Sequence, residues 1–266
     1  MLPVTSPEHL QSLSSVVVIP ARYESTRFPG KPLALLAGKP MIEHVYRRAS
    51  EARGVGRVLV ATDDERIVRA VAAFGGEAVM TRASHATGTD RLAEVAARLT
   101  CDVVINVQGD EPLVAPQMIE QALEPFAEDS ELQMTSLRTA IRDLEDLVDP
   151  NVVKVVVDRN DFALYFSRAP IPWVRDRKSG GAPDAWRHIG LYGYRRAFLL
   201  RLAALPPTRL EELERLEQLR ALEHGVRIKV MPTLFDAVGV DTPADLARVE
   251  SLIAAGAAVG PLPHSS

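Results

Sequence analysis

Residues 15–20 read Ser-Val-Val-Val-Ile-Pro, and this short stretch decides the fold. Four β-branched apolar residues in a row, with no polar residue alternating among them, describe a strand buried on both faces. Residues 57–61 (RVLVA), 77–80 and 102–107 (DVVINV) read as further strands. Helical segments separate them. Pro40 suits the first turn of a helix running to about Ala52 and ended by Gly54. Asp63 and Asp64 can cap a second helix with the apolar stripe Ile67, Val68, Val71 and Phe74, closed by Gly75 and Gly76. Residues 89–99 read as a third. This alternation predicts an α/β fold, a mostly parallel sheet with flanking helices. Such sheets bind ligands beyond the carboxyl ends of their strands, so the loops after Pro20 and Val107 are where chemistry is expected.

After Pro150 the pattern changes. Residues 152–158 and 162–168 read as strands joined by the turn Arg159-Asn160-Asp161, 171–185 as a charged Pro/Gly-rich loop, and 186–195 as another strand. These predict an antiparallel excursion over about 150–195 that forms a second wall of the pocket. Leu210, Leu213, Leu216, Leu219 and Leu222 recur every three residues in what reads as one helix, for which core or dimer packing is the plain explanation. A strand at 227–231 follows, then a helix capped by Thr242 or Asp241 with apolar positions Leu246, Val249 and Leu252. The expected organisation is a single domain over 15–255 with flexible tails at 1–14 and 256–266.

Composition narrows the function classes. The 266 residues are 47% hydrophobic and 25% charged, as in ordinary globular proteins. A net charge of -4 argues against general attraction to nucleic acid or to an anionic membrane surface. The apolar runs are strand-sized, which predicts no membrane insertion, and residues 1–14 lack the features of a signal peptide. Cys101 is the single cysteine, so no intramolecular disulfide can form, which fits a cytoplasmic location; by itself it reads as a small buried apolar residue.

Residues 20–33, PARYESTRFPGKPL, bring together the cations Arg22, Arg27 and Lys31, the hydroxyls of Ser25 and Thr26, and the flexible point Gly30. Several donors aimed at one place suit a polyphosphate. The spacing is not that of a Walker loop. Charge count alone serves a solvated basic loop equally well; the position after a strand favours the phosphate reading. Asp110, in VQGDEP, and Asp241, after residues 237–240, can converge on one cation, and oxygen ligands suit Mg²⁺. Asp110 also reads as a turn residue and Asp241 as a helix cap. No Cys/His cluster suggests zinc. His188 and Tyr192, four apart on a strand, share a face, and Gly190 between them leaves room for a ligand. A satisfied, partly buried pair is an equal reading of those two residues, and a solvated helix face explains Glu217 and Gln218.

The motif P-A-R-x-x-S-T-R-x-P-G-K-P-L, followed by G-K-P-M at 38–41, resembles the opening of the CMP-Kdo synthetases, where Kdo is 3-deoxy-manno-octulosonate. The resemblance continues over about 16–249 through A-T-D at 61–63, M-T-R at 80–82, G-T-D-R-L at 88–92 and N-V-Q-G-D-E-P at 106–112. It extends to Y-F-S-R-A at 165–169, H-I-G-L-Y-G-Y-R at 188–195, L-E-Q-L-R at 216–220 and G-V-D-T-P at 239–243. It implies a nucleotide-diphospho-sugar transferase-like fold and a cytoplasmic homodimer. The implied reaction moves CMP from CTP to the anomeric hydroxyl of Kdo, giving CMP-Kdo and pyrophosphate for lipopolysaccharide synthesis. It implies catalytic roles for Arg22, Lys31, Asp110 and Asp241, with Mg²⁺ on the two aspartates and Glu111 a weaker ligand. CTP contacts are implied for Ala21, Arg22, Arg27, Lys31, Arg82, Thr87, Gly88 and Gln108. Gln108, Arg168, His188, Tyr192, Glu217 and Gln218 are implied for the acid sugar, with Arg168 forking onto its carboxylate. Thr87 stands where the family usually has Ser, and 234–238 departs from a Pro/Gly-rich stretch. Other readings are a transferase for another acid sugar such as a sialic acid, a non-catalytic CTP-binding regulator, or a glycosyltransferase, for which no D-x-D motif is found.

Overall fold

The computed structural model describes residues 13–24, 28–85, 87–175 and 184–255; Arg27, Ala86 and most of both expected tails lie outside them. Strand β1 (Ser15–Ala21) opens the sheet, and a 3-10 turn at Lys31–Leu33 leads into the two-residue ribbon of β2 (Leu35–Leu36) and β3 (Lys39–Pro40). Helix α1 (Met41–Ser50), β4 (Arg57–Thr62), α2 (Glu65–Ala73), β5 (Ala78–Met80), α3 (Gly88–Ala97) and β6 (Val103–Asn106) follow in alternation. Then come α4 (Pro116–Glu128), β7 (Met134–Ala140), α5 (Leu144–Val148), β8 (Lys154–Val157), β9 (Ala163–Ser167) and β10 (Trp186–Arg195). The chain ends with α6 (Arg196–Ala204), α7 (Arg209–Glu214), α8 (Gln218–Glu223), β11 (Ile228–Pro232) and α9 (Pro243–Ala254). Among the described residues no helix is long and apolar enough to cross a membrane.

The sheet runs β11-β7-β10-β6-β1-β4-β5, with β8 paired to β10 and β9 to β8. β1 lies parallel to β4 and β6, β4 to β5, and β7 to β11, while β10 is antiparallel to both β6 and β7. The mostly parallel sheet with flanking helices is therefore present. One expectation needs correcting: residues 186–195 are not part of an excursion but a strand set into the middle of the sheet, and only β8 and β9 stand off it.

Alternate residues of β1 feed opposite faces, as its composition demands. Val17 and Ile19 pack with Ile42 and Val45 of α1 and with Met118 and Phe126 of α4. Val16 and Val18 pack with Leu92 of α3 and with Phe198 and Leu199 of α6. Each fully buried side chain of this size contributes about 1.5–3 kcal/mol. β1, apolar on both faces, thus outweighs any surface ion pair of the chain.

Helix caps settle two open choices. Asp64 caps α2 by accepting from the Arg66 N–H at 2.8 Å, which leaves Asp63 to pair with the buried Arg91 at 2.7 Å. Thr242 caps α9 in a reciprocal box with Asp245, so the Asp241 side chain is not the cap. The leucine repeat, expected as one helix, is broken at Arg215, where φ is 55° and α7 ends; Leu213 is left exposed and Leu216 and Leu219 are buried.

Gly193 shows how tightly β10 is held. A Cβ there would lie 2.7 Å from Phe126 Cε2 and closer still to the Thr135 hydroxyl. Gly193→Ala is expected to destabilise by about 1–3 kcal/mol, read as a lower urea midpoint at unchanged slope. An unchanged midpoint would refute this packing.

Candidate active site

The carboxyl end of β1 and the loop after β6 meet at one cation. Gly30, at φ 73°, turns the chain into the 3-10 segment and presents Lys31. The Lys31 ammonium donates to Asp110 Oδ2 at 2.6 Å and to Asp241 Oδ1 at 3.3 Å. The Val240 N–H donates to the Asp110 carbonyl at 2.9 Å, which ties the chain before α9 to the loop after β6. Gly109 is required there, because a Cβ would stand 2.7 Å from the Pro20 carbonyl. The two aspartates keep 35% and 48% of their side chains exposed whereas Lys31 keeps 14%, so the carboxylates remain open to an incoming ligand.

Asp110 and Asp241, 131 positions apart in sequence, thus meet at the Lys31 ammonium, a contact the sequence reading did not foresee. Among the described residues no cluster of three or more His, Cys, Asp or Glu side chains could form an all-protein metal cage. Two open carboxylates fit Mg²⁺, which keeps water and shares its sphere with phosphates. Glu111 fits less well. It is buried with Oε2 unpartnered, and burial, reinforced by the Asp110 charge, pushes its carboxyl up to about 8.

Beside this lies a cavity of about 650 Å³ whose wall includes Thr89, Asn106, Gln108, Gly190, Tyr192 and Gln218. Register shifts in β10 between Ile189 and Tyr192, and the Gly190 carbonyl freed there accepts from Gln108 Nε2 at 3.0 Å. Nothing lies within 4 Å of a Cβ at Gly190, so the expected space is present. Gly88 and Thr89, the first turn of α3, line the cavity; Thr89 Oγ1 donates to Glu217 Oε2 at 2.5 Å across it. Glu217 is exposed and immediately precedes α8, while Gln218, its first residue, is buried.

The segment after β5 is organised by Glu94. Its carboxylate accepts from the Arg82 N–H at 3.0 Å and meets the His85 ring at 2.5 Å, and these bonds hold its pKa down to about 2. An Arg22 N–H donates to the His85 carbonyl at 2.8 Å, linking the loop after β1 to this segment. Arg82 keeps its guanidinium largely exposed, and Ala21 is buried and offers only its backbone. The Thr87 hydroxyl is engaged in capping α3.

Two expected sugar contacts are placed otherwise. The Arg168 guanidinium lines the cavity, but its N–H groups donate to the carbonyls of Glu214 at 2.7 Å, Pro150 at 2.9 Å and Arg215 at 3.4 Å. These bonds engage three of its five N–H groups, so Arg168 also braces the corner between α7 and α8. His188 lies beneath the cavity wall, its ring edge-on to Phe166 at 4.8 Å and 5.4 Å from Tyr192, with Nε2 2.8 Å from Ser136 Oγ. The shared face of His188 and Tyr192 holds. Tyr194 and Asn106 were not singled out from sequence, although the Tyr194 hydroxyl bonds Thr89 and both residues line the cavity. A polar residue closing an apolar strand was the available signal for Asn106.

The Cytidylyltransferase family profile matches residues 16–228. The chain is 58% identical over 240 residues to the 3-deoxy-manno-octulosonate cytidylyltransferase of Geotalea daltonii, covering 87% of this chain and 95% of that one. It is 54% identical over 244 residues to the protein of the same name from Pelobacter propionicus, covering 89% and 96%. A solved structure of CMP:2-keto-3-deoxy-manno-octonic acid synthetase complexed with CTP superposes with a TM-score of 0.87 at 45% identity, covering 91% of this chain and 99% of that one.

Burial, with Arg187 adding to it, pushes the His188 imidazole down to about 3 from an ordinary 6.5. Between those values the unfolded chain binds the proton and the native state does not. His188 therefore costs stability as pH falls from about 6.5 towards 3. Nitrogen-15 NMR is expected to show this ring neutral at pH 5. His188→Gln is expected to flatten the acid limb of the stability curve. A ring that protonates near 6.5 would contradict the burial described.

Proposed function

The chain belongs to the 3-deoxy-manno-octulosonate cytidylyltransferase family, and on that premise we propose that it transfers CMP from CTP to Kdo, releasing pyrophosphate. The observation that carries the reading is the Lys31 ammonium held between Asp110 and Asp241 at the carboxyl ends of the strands. Asn106, Gln108 and Asp110 lie within five residues, so one segment serves both the polar cavity and the charged pocket.

The triphosphate lies at the charged pocket and the acid sugar in the cavity. The anomeric oxygen of Kdo bonds to the α-phosphorus, the bond from that phosphorus to the β-bridging oxygen breaks, pyrophosphate leaves, and the hydroxyl proton passes to water. Lys31 and Arg22 orient the β- and γ-phosphates and offset the charge on the leaving group. Gly88 offers backbone N–H at the start of α3, where the helix dipole favours negative charge. Gln108, fixed by its bond to Gly190, stands between nucleotide and sugar. Tyr192 and Glu217 face the sugar, and His188 supports Tyr192 from below. Mg²⁺ bound at Asp110 and Asp241 would neutralise phosphate charge and make the attacking hydroxyl more acidic.

The product would serve lipopolysaccharide synthesis, in the cytoplasm. We also infer a homodimer, supported by the exposed apolar residues Leu164, Trp173 and Leu213 on β9, the following loop and α7.

Wild-type protein with CTP, Kdo and Mg²⁺ is expected to release pyrophosphate, and to do so far more slowly with sialic acid. Lys31→Ala and Asp110→Asn are each expected to lower turnover by about a hundredfold or more, and EDTA to abolish it. Absence of release from wild type would sink the reading; near-wild-type turnover by Asp110→Asn would sink the metal assignment.

A further inference from the structure

Lys31 reaches the two aspartates from a loop whose shape is set at its ends. The Gly30 N–H donates to the Tyr23 carbonyl at 2.8 Å, which ties those ends together. The Tyr23 ring lies against Gly30: a Cβ there would stand 3.2 Å from the ring's Cζ and from its hydroxyl oxygen. Gly30 in turn caps the 3-10 segment that begins with Lys31, its carbonyl accepting from the Leu33 N–H at 2.8 Å. The Arg66 guanidinium lies over the Tyr23 ring, 3.3 Å from its centroid. Arg66 is itself held, because Asp64 accepts from its Nε at 2.9 Å and from its Nη2 at 2.6 Å. A chain of contacts thus runs from the start of α2 through Arg66, Tyr23 and Gly30 to Lys31. A flat guanidinium on an aromatic face is both attractive and directional.

We propose that Arg66 and Tyr23 are positioning residues of the phosphate site: stacked on each other, they fix Gly30 and so the direction in which Lys31 meets a triphosphate. This rests on the reading that CTP is bound at Lys31. Position 23 is unspecified in the P-A-R-x-x-S-T-R motif, and Arg66 lies outside every motif shared with the family, so the resemblance gives neither a role. Arg66 acts through the ring and not as a phosphate ligand, since its charge is already paired with Asp64.

Pyrophosphate release by wild type with CTP and Kdo is measured first; its absence overturns the functional reading and this inference together. Given release, Arg66→Ala is expected to raise KM for CTP about fivefold while KM for Kdo stays within about twofold. Tm is expected to hold, because 50% of this side chain is exposed. Inhibition by inorganic pyrophosphate is expected to weaken in step with CTP binding, and inhibition by CMP to stay the same, since Lys31 serves the β- and γ-phosphates. Asp64→Asn separates positioning from charge. Asparagine still caps α2 but loosens the guanidinium, so KM for CTP is expected to rise. If Arg66 merely attracted phosphate, removing the neighbouring carboxylate would lower it. Tyr23→Leu is expected to match Arg66→Ala, and the double variant to be no weaker than Tyr23→Leu alone, because both break one contact. An unchanged KM for CTP in Arg66→Ala, a fall in Asp64→Asn, simple addition in the double variant, or equal rises for CTP and Kdo with a lower Tm each overturns the inference and leaves the functional reading standing.

Discussion

Strand β10 runs against both of its neighbours in the sheet, and the active region depends on that reversal. Tyr192 is its last partner for β6, opposite Asn106, where the parallel strand ends. Residues before Tyr192 must consequently project beyond the carboxyl end of β6, over the place where a parallel sheet presents its ligands. The register shift between Ile189 and Tyr192 falls there and turns the Gly190 carbonyl towards Gln108. Had β10 run parallel, that segment would lie at the far end of the sheet and the cavity would lack this wall. The tight fit of Gly193 against α4 and β7 fixes the strand's height and, through it, the position of Tyr192.

The opposite wall is held by charge satisfied almost entirely within the protein. Glu214 accepts from the Ser167 hydroxyl at 2.6 Å and the Arg168 N–H at 2.8 Å, while the Arg168 side chain returns to the carbonyls of Glu214 and Arg215. Buried Lys154 donates to the Arg168 carbonyl at 2.6 Å, so β8, β9 and the α7–α8 corner form one polar knot. The left-handed turn at Arg215 is stable in that setting, and it delivers Glu217 and Gln218 to the cavity as α8 starts afresh.

Much of this was legible in the sequence, for identifiable reasons. β1, β4 and β6 are apolar runs without alternation, so the parallel half follows from residue type and position; Asp110 and Asp241 were paired through the family motifs, since Asp241 alone reads as a helix cap, and their contact with Lys31 carried no signal. β7 was not read at all: Thr135, Ser136, Arg138 and Thr139 are buried there, and a central strand this polar gives no hydropathy signal. Helix α4 hides behind Pro125, which stands inside it. The leucine repeat suggested one helix because spacing cannot foresee Arg168 binding the carbonyls at its middle. Arg168 was matched to a carboxylate by residue chemistry, yet backbone acceptors from two other segments already engage it. Family and fold were accessible to local pattern; the partners of individual polar groups, Lys31 among them, depended on contacts distant in sequence.

The Lys31 bridge also governs what a highly charged nucleotide meets on arrival. Two bare carboxylates at a strand end would repel a triphosphate at several ångströms' range. With the ammonium between them, the three groups together carry a single negative charge, and the ammonium sits deeper than either carboxylate. The pocket is thus poised like a charged latch with its own internal counterion. The ammonium stands between the two carboxylates, so an incoming nucleotide does not face them as a bare pair.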